Sequence, residues 1–291
     1  MGYFCILISL LAGATKGFMG KKISSTVSSY RQAAFINVFR MFICMGVSGV
    51  SFMFESLQSG LYIDEGVIIY GALSGITLSF FIITWLLAVR NGAFMLVSVS
   101  QMFGTVITLL CSFFVFRKPL ESKQLLAVAL LVVAVLIMVS YSSGVKGKLS
   151  VFGIVMLVLC GLSGGINDFS MKLFREFSEA NISMFNLISY IFSMVVLAVA
   201  VALPSEDKFN KRELLKSDLL AVIIMSVCLF VHSYFKAMAN DYLSVAQVYP
   251  ISQAGGLILS ALMSSVFFNE KITFRCVVGL ILAFIAVLLL K

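Results

Sequence analysis

Apolar residues run through this chain in long unbroken blocks, not in the alternation of a sheet or the one-sided stripes of a surface helix. Ten blocks stand out, at 3–20, 33–54, 66–89, 93–116, 123–141, 150–171, 182–203, 218–239, 244–268 and 273–290. Each is close to the roughly 20 apolar residues that an α-helix needs to cross a bilayer, so the pattern predicts ten transmembrane helices. The longest polar stretches between them are only 21–32, 55–65 and 204–217. Consecutive helices are therefore expected to run antiparallel, with no soluble domain between them. The first block has no basic start and no small-residue cleavage site, which reads as a retained helix and not a signal peptide.

The chain writes one of these patterns twice. Val97-Ser98-Val99-Ser100-Gln101-Met102-Phe103-Gly104 recurs as Tyr249-Pro250-Ile251-Ser252-Gln253-Ala254-Gly255-Gly256, each position 152 residues on. The register holds through Ser112/Ser264, Phe116/Phe268 and Ala134-Val135-Leu136/Ala286-Val287-Leu288. At slightly smaller offsets Lys22 pairs with Lys172 and Asn37 with Asn186. The repeating unit is thus five helices, 1–145 and then 146–291. Five is odd, so the second unit must sit upside down relative to the first. The expected fold is an all-α integral membrane protein of ten transmembrane helices in two inverted five-helix repeats. Many secondary transporters are built this way, with the ligand site between the copies.

Composition agrees. The 291 residues are 61% hydrophobic and 12% charged, with a mean hydropathy of +1.09. A soluble domain carries about twice that charged fraction. The net charge of +8 is no nucleic-acid signal, because the basic residues sit in short loops without a run or a stripe. Cys5, Cys44, Cys111, Cys160, Cys228 and Cys276 lie within or at the start of apolar spans and form no CxxC pair. They read as small buried hydrophobes, so no disulfide framework, metal site or cofactor is expected. Lys and Arg are twice as numerous in the loops opposite the N-terminus as in those on its side. The positive-inside bias then puts both termini outside, and a cysteine at Asn210 should resist an impermeant thiol reagent in intact cells.

Several polar residues interrupt the spans. Gln101 and Gln253 each lie about 12 Å into their helix at 1.5 Å per residue, close to the midplane. A primary amide in lipid is costly unless paired, so both should face the interior. There they, with Ser100 and Ser252, either bind a substrate from both sides of the pseudo-axis or bond between helices. Gly104 and Gly256 follow on nearly the same face and allow close approach of a helix or a ligand. Pro250 withdraws a donor from the carbonyl of Ala246 and bends its helix, and Tyr249 beside it can stack on a ligand. Asn167 and Asp168 follow a glycine-rich run. Asp168 is either a helix-end ion pair near Lys172 or, inside a cavity, a proton or cation coupling site. His232 and Lys236 share a helix face at i, i+4. The histidine can relay protons or be satisfied by a neighbour, and the lysine can snorkel. Lys16 and Arg40 have the same ambiguity; in a cavity they would favour anionic or zwitterionic substrates. Trp85 and Tyr234 read as cavity walls or interface anchors. Gly71-x-x-x-Gly75 reads as an internal helix-packing motif.

The chain resembles the drug/metabolite transporter superfamily in its EamA-type ten-helix form. The resemblance lies in Asn37-Val38-Phe39-Arg40-Met41-Phe42, in Val248-Tyr249-Pro250, in Phe268-Asn269-Glu270-Lys271-Ile272-Thr273, and in the stretch from Gly279 to Val287. The first half departs from the pattern, with Ser98 in place of a proline, Lys118 of a glutamate and Ala127 of a glycine. The resemblance implies a multi-pass protein of a bacterial cytoplasmic membrane with its termini inside. It also implies a small-molecule substrate such as an amino acid, nucleoside, sugar or organic cation, bound between the halves. Asn37 joins the substrate-binding candidates on this ground. The expected function is secondary transport by alternating access, by a monomer or homodimer in the bilayer. A flippase for a lipid or lipid-linked sugar on the same scaffold is the alternative. A membrane-embedded enzyme is a third reading, against which stands the lack of any nucleophile with a base, metal-spaced cluster or phosphate loop.

Overall fold

The computed structural model describes residues 1–91, 94–117, 122–139, 151–203, 211–268 and 274–289. Over these residues the chain is helical and contains no strand. The helices are α1 (Gly2–Ser24), α2 (Tyr30–Ser59), α3 (Glu65–Asn91), α4 (Phe94–Phe116), α5 (Ser122–Val139), α6 (Val151–Phe177), α7 (Ile182–Ala202), α8 (Lys211–Ala239), α9 (Val245–Phe268) and α10 (Phe274–Leu289).

Each helix lies on one of the ten apolar blocks, but several reach into stretches read as polar loops. α1 runs on to Ser24, α2 to Ser59, and α8 starts at Lys211. Backbone hydrogen bonding does not stop where the apolar run does. Capping stops it instead. α2 starts where Ser29 Oγ accepts from the Gln32 amide at 3.4 Å, while Gln32 Oε1 accepts from the Ser28 amide at 2.7 Å. It ends at Gly60, whose φ of +87° suits glycine. α3 starts where Asp64 accepts from the Val67 amide at 2.7 Å.

Seven helices are long and apolar enough to cross a membrane over the described residues: α1, α2, α3, α6, α7, α8 and α9. Of the ten expected spans, these seven meet that measure over the described residues. The apolar stretches described in α4, α5 and α10 are shorter, at Ser100–Phe116, Leu125–Ala134 and Val277–Ala286. The loop around Asn210 and the residues Lys118 and Asn269 lie outside the described residues.

Partners in this fold are far apart in sequence. α1 packs on α8, α3 on α6, α2 on α7, α5 on α10, and α4 on both α6 and α9. Contacts at the helix ends show that the first three pairs are antiparallel. Thr26, beyond α1, donates to Asp218 Oδ2 at 2.9 Å, while Gly2 at the other end lies against Tyr242 and Leu243. Gly66, at the start of α3, lies against Phe177 and Ser178, at and just past the end of α6. Arg31 near the start of α2 donates to the Val201 carbonyl at 2.8 Å, and the Ser183 amide at the start of α7 donates to Glu55 at 3.2 Å.

Burial is inverted relative to a soluble protein. Phe114 is 73% exposed and Leu220 71%, while Arg40 is 2% and Lys236 3% exposed. Apolar side chains cover the outside and charged ones sit within, as lipid demands. Small residues let the helices approach. A Cβ on Gly71 would lie 2.7 Å from Ile188 Cγ2, and one on Gly75 would meet the Ser189 backbone, so this glycine pair seats α3 on α7.

Candidate functional site

Eight of the ten helices, all but α5 and α10, surround one internal cavity of about 140 Å³. At roughly 10–15 Å³ per water on this measure, it has room for about ten waters or a small solute. Its wall is mixed. Leu78, Phe81 and Trp85 from α3 and Met225 and Leu229 from α8 supply apolar surface, and the polar residues converge from every side.

Asp168 lies on this wall and not at a helix end. Lys236 Nζ donates to both of its carboxylate oxygens at 2.8 Å. Lys172, the neighbour one turn on, pairs with Glu176 at 3.0 Å instead. Lys236 therefore does not snorkel; it turns inward because a buried carboxylate on α6 faces it. Beneath the pair sits Tyr249, its ring 5.0 Å from the ammonium and its hydroxyl donating to the Asp168 carbonyl at 2.7 Å. Asn240 donates to the same hydroxyl at 3.3 Å. Tyr249 thus supports the ion pair from behind and is not among the lining residues.

Arg40 and Lys16 also reach the cavity. Arg40 donates from Nη1 to Asn37 Oδ1 at 2.7 Å, and its Nε is buried without a partner. Asn37, whose Nδ2 donates to the Ala33 carbonyl at 2.8 Å, sits behind the arginine and out of the cavity. Lys16 makes no hydrogen bond or ion pair with the described residues. His232 Nδ1 lies 2.9 Å from the Ser9 carbonyl. A carbonyl only accepts, so a proton on Nδ1 is the tautomer that suits this contact, and His232 lines the cavity. Ser9 Oγ closes the contact from the other direction by donating to the His232 carbonyl at 3.0 Å.

Gln101 and Gln253 both line the cavity. Neither amide bonds to a described residue, so their donors and acceptors face the space itself. Asn167 is partly engaged, its Oδ1 accepting from Ser74 Oγ at 3.0 Å. Ser252 lines the cavity with its hydroxyl buried and unpartnered. Ser100 turns back on its own helix and donates to the Val97 carbonyl at 2.7 Å. The two glycines part company. A Cβ on Gly104 would stand 2.6 Å from the Gly161 carbonyl, so it serves the crossing of α4 and α6. At Gly256 a Cβ would meet nothing within 4 Å, and that glycine faces the cavity. Pro250 lies within α9 and off the wall. Tyr234 packs against Phe230 and Phe235 and is not among the lining residues.

Sequence reasoning passed over Ser74, Ser189, Tyr190 and Ser233, all of which line the cavity. Ser74 and Ser189 share a hydrogen bond at 2.9 Å, and the Tyr190 hydroxyl is buried close by. Serine is common inside spans and can bond to its own helix, so nothing marks these four out. The one available signal was that Ser74 falls between Gly71 and Gly75, on a helix already expected to pack closely.

No curated protein matches this chain. Among solved structures, one crystal structure superposes with a TM-score of 0.69 over 99% of this chain and 95% of its own, at 13% identity. That likeness concerns the fold alone. Residues 151–291 match the EamA-like transporter family. That family belongs to the drug/metabolite transporter superfamily, so this part of the chain is similar to membrane transporters of that kind.

Proposed function

We propose that the protein is a secondary transporter that moves a small polar metabolite by alternating access, with its substrate in the cavity between residues 1–145 and 146–291. The observation that carries this is the pair Gln101 and Gln253. They occupy equivalent positions of the repeated sequence, and both line the same cavity with amides that bond to no described residue. Bonding between helices, the other reading of these amides, would have left them engaged.

The packing supports an inverted relation of the halves. If α1 is equivalent to α6 and α3 to α8, the antiparallel pair α1/α8 has its counterpart in α6/α3, and α2/α7 and α5/α10 are their own counterparts. Within this reading Asp168 is the candidate for a coupled proton, with Lys236 as its partner and His232 on the same wall. Ser252, Asn167 and Trp85 complete the contacts to substrate.

Uptake of the best-binding metabolite into proteoliposomes tests the proposal. Loss of uptake in Gln101→Ala and Gln253→Ala, with normal yield of folded protein, supports it. Normal uptake in both variants removes the site. Stabilisation of the purified protein by lipids or head groups, and by no soluble metabolite, would favour a flippase instead.

A further inference from the structure

We infer that the cavity is built for a small organic anion, whose carboxylate or phosphate is held by Arg40 and Lys16. This rests on the cavity being the substrate site and deepens that reading to a chemical class.

The charged groups on the cavity wall point to this class. Among the described lining residues there are three basic side chains, Lys16, Arg40 and Lys236, and one carboxylate, Asp168. The carboxylate is spent: both its oxygens accept from Lys236 at 2.8 Å. Nothing comparable serves the other two. Arg40 is held by Asn37, whose own amide is committed to the Ala33 carbonyl, so that only a neutral oxygen faces the guanidinium. This positions the arginine without neutralising it. A guanidinium has five N–H donors, and the Arg40 Nε is buried and unpartnered. Lys16, half-buried, has three donors and no hydrogen-bond partner among the described residues, and lies within Coulombic reach of Arg40, Lys236 and the already paired Asp168.

Basic groups without a bonded counter-ion are costly to charge inside a span, and an entering anion relieves both. A rigid guanidinium fork beside a mobile ammonium suits a carboxylate or a phosphate. The remaining wall says what the anion is attached to. Trp85 and Phe81 offer apolar surface to a short carbon frame, and Gln101 and Gln253 offer amides to its polar substituents. The same field disfavours organic cations.

The test is thermal unfolding of the purified full chain in detergent with five probes: succinate, glycerol 3-phosphate, serine, glucose and putrescine. Succinate or glycerol 3-phosphate should raise the Tm, and which of them does so separates carboxylate from phosphate. Lys16→Gln and Arg40→Gln should each weaken the apparent Kd for that anion by about tenfold or more. The Tm without ligand should hold or rise in Lys16→Gln, because an unpaired cation has gone. Lys16 makes no hydrogen bond with the described residues, so that variant serves even if Arg40→Gln fails to fold. Equal anion binding in wild type and Lys16→Gln, stabilisation by putrescine, or no response to either anion overturns the inference. If serine or glucose stabilises the protein and Gln101→Ala abolishes that effect, the transporter reading stands while the anion falls.

Discussion

Lys236 Nζ stands 2.8 Å from each carboxylate oxygen of Asp168, across a separation of 68 residues, with the Tyr249 ring 5.0 Å from the ammonium. Both side chains are almost wholly buried, so each charge is stabilised chiefly by the other. Breaking a buried pair on one side strands a charge, which typically costs about 3–5 kcal/mol, whereas removing both charges is far milder. Lys236→Met should therefore lower stability steeply, and Asp168→Asn with Lys236→Met should recover most of the loss. Unfolding of the single and double variants in detergent checks this; losses that simply add would show that the two charges are independent.

Gln101 and Gln253 should separate transport from stability. Neither amide bonds to a described residue, so truncation strands no protein partner. Gln101→Ala and Gln253→Ala should each reduce uptake about 5- to 10-fold, the worth of one hydrogen bond to substrate, with the Tm nearly unchanged. A large drop in Tm would assign the amides to helix packing.

The two repeat-related glycines should answer oppositely to a methyl group. Gly104→Ala drives a Cβ to within 2.6 Å of the Gly161 carbonyl, a backbone atom that cannot swing aside. Forced separation of α4 and α6 should cost about 1–3 kcal/mol. Gly256→Ala enters open space and should leave the Tm in place while trimming the cavity. Similar melting temperatures for the two variants would contradict the crossing described above.

Asp64 gives the fold a pH dependence outside the membrane spans. Burial alone would raise its pKa, but the Val67 amide at 2.7 Å, Ser178 Oγ at 2.8 Å and the Glu179 amide at 3.0 Å all favour the carboxylate. The donors win, and the pKa falls below the usual carboxylate value. A depressed pKa means stability that is present above the unfolded value and lost as pH falls through the folded one. Asp64→Asn still caps α3, so it should fold at neutral pH, less stably than wild type. As pH falls below about 4, towards and through the folded value, the gap in Tm should narrow. A constant gap would mean that the carboxylate charge contributes nothing.

The positions of all ten helices were legible in the sequence, because a chain in lipid must satisfy its backbone within each span and so writes each helix as an apolar block. The repeat was legible for a similar reason: Gln101 and Gln253 stand out where polar residues are rare. Helix ends were less so, since α1, α2 and α8 run past their apolar runs to caps such as Ser29 or into polar sequence, and hydropathy does not register either.

What tertiary structure decided is which polar groups meet. Asp168 had Lys172 one turn away and took Lys236 from another helix, because the packing of α6 and α8 places that ammonium opposite it in the interior. Asn37 and Tyr249 proved to stand behind Arg40 and Asp168, while Ser74, Ser189 and Tyr190, which the sequence did not distinguish, came to the wall. Apolar periodicity says that a residue lies in the membrane. The face it turns inward, and the partner it meets there, depend on how side chains of distant segments fit together, and that information exists only once the helices have packed.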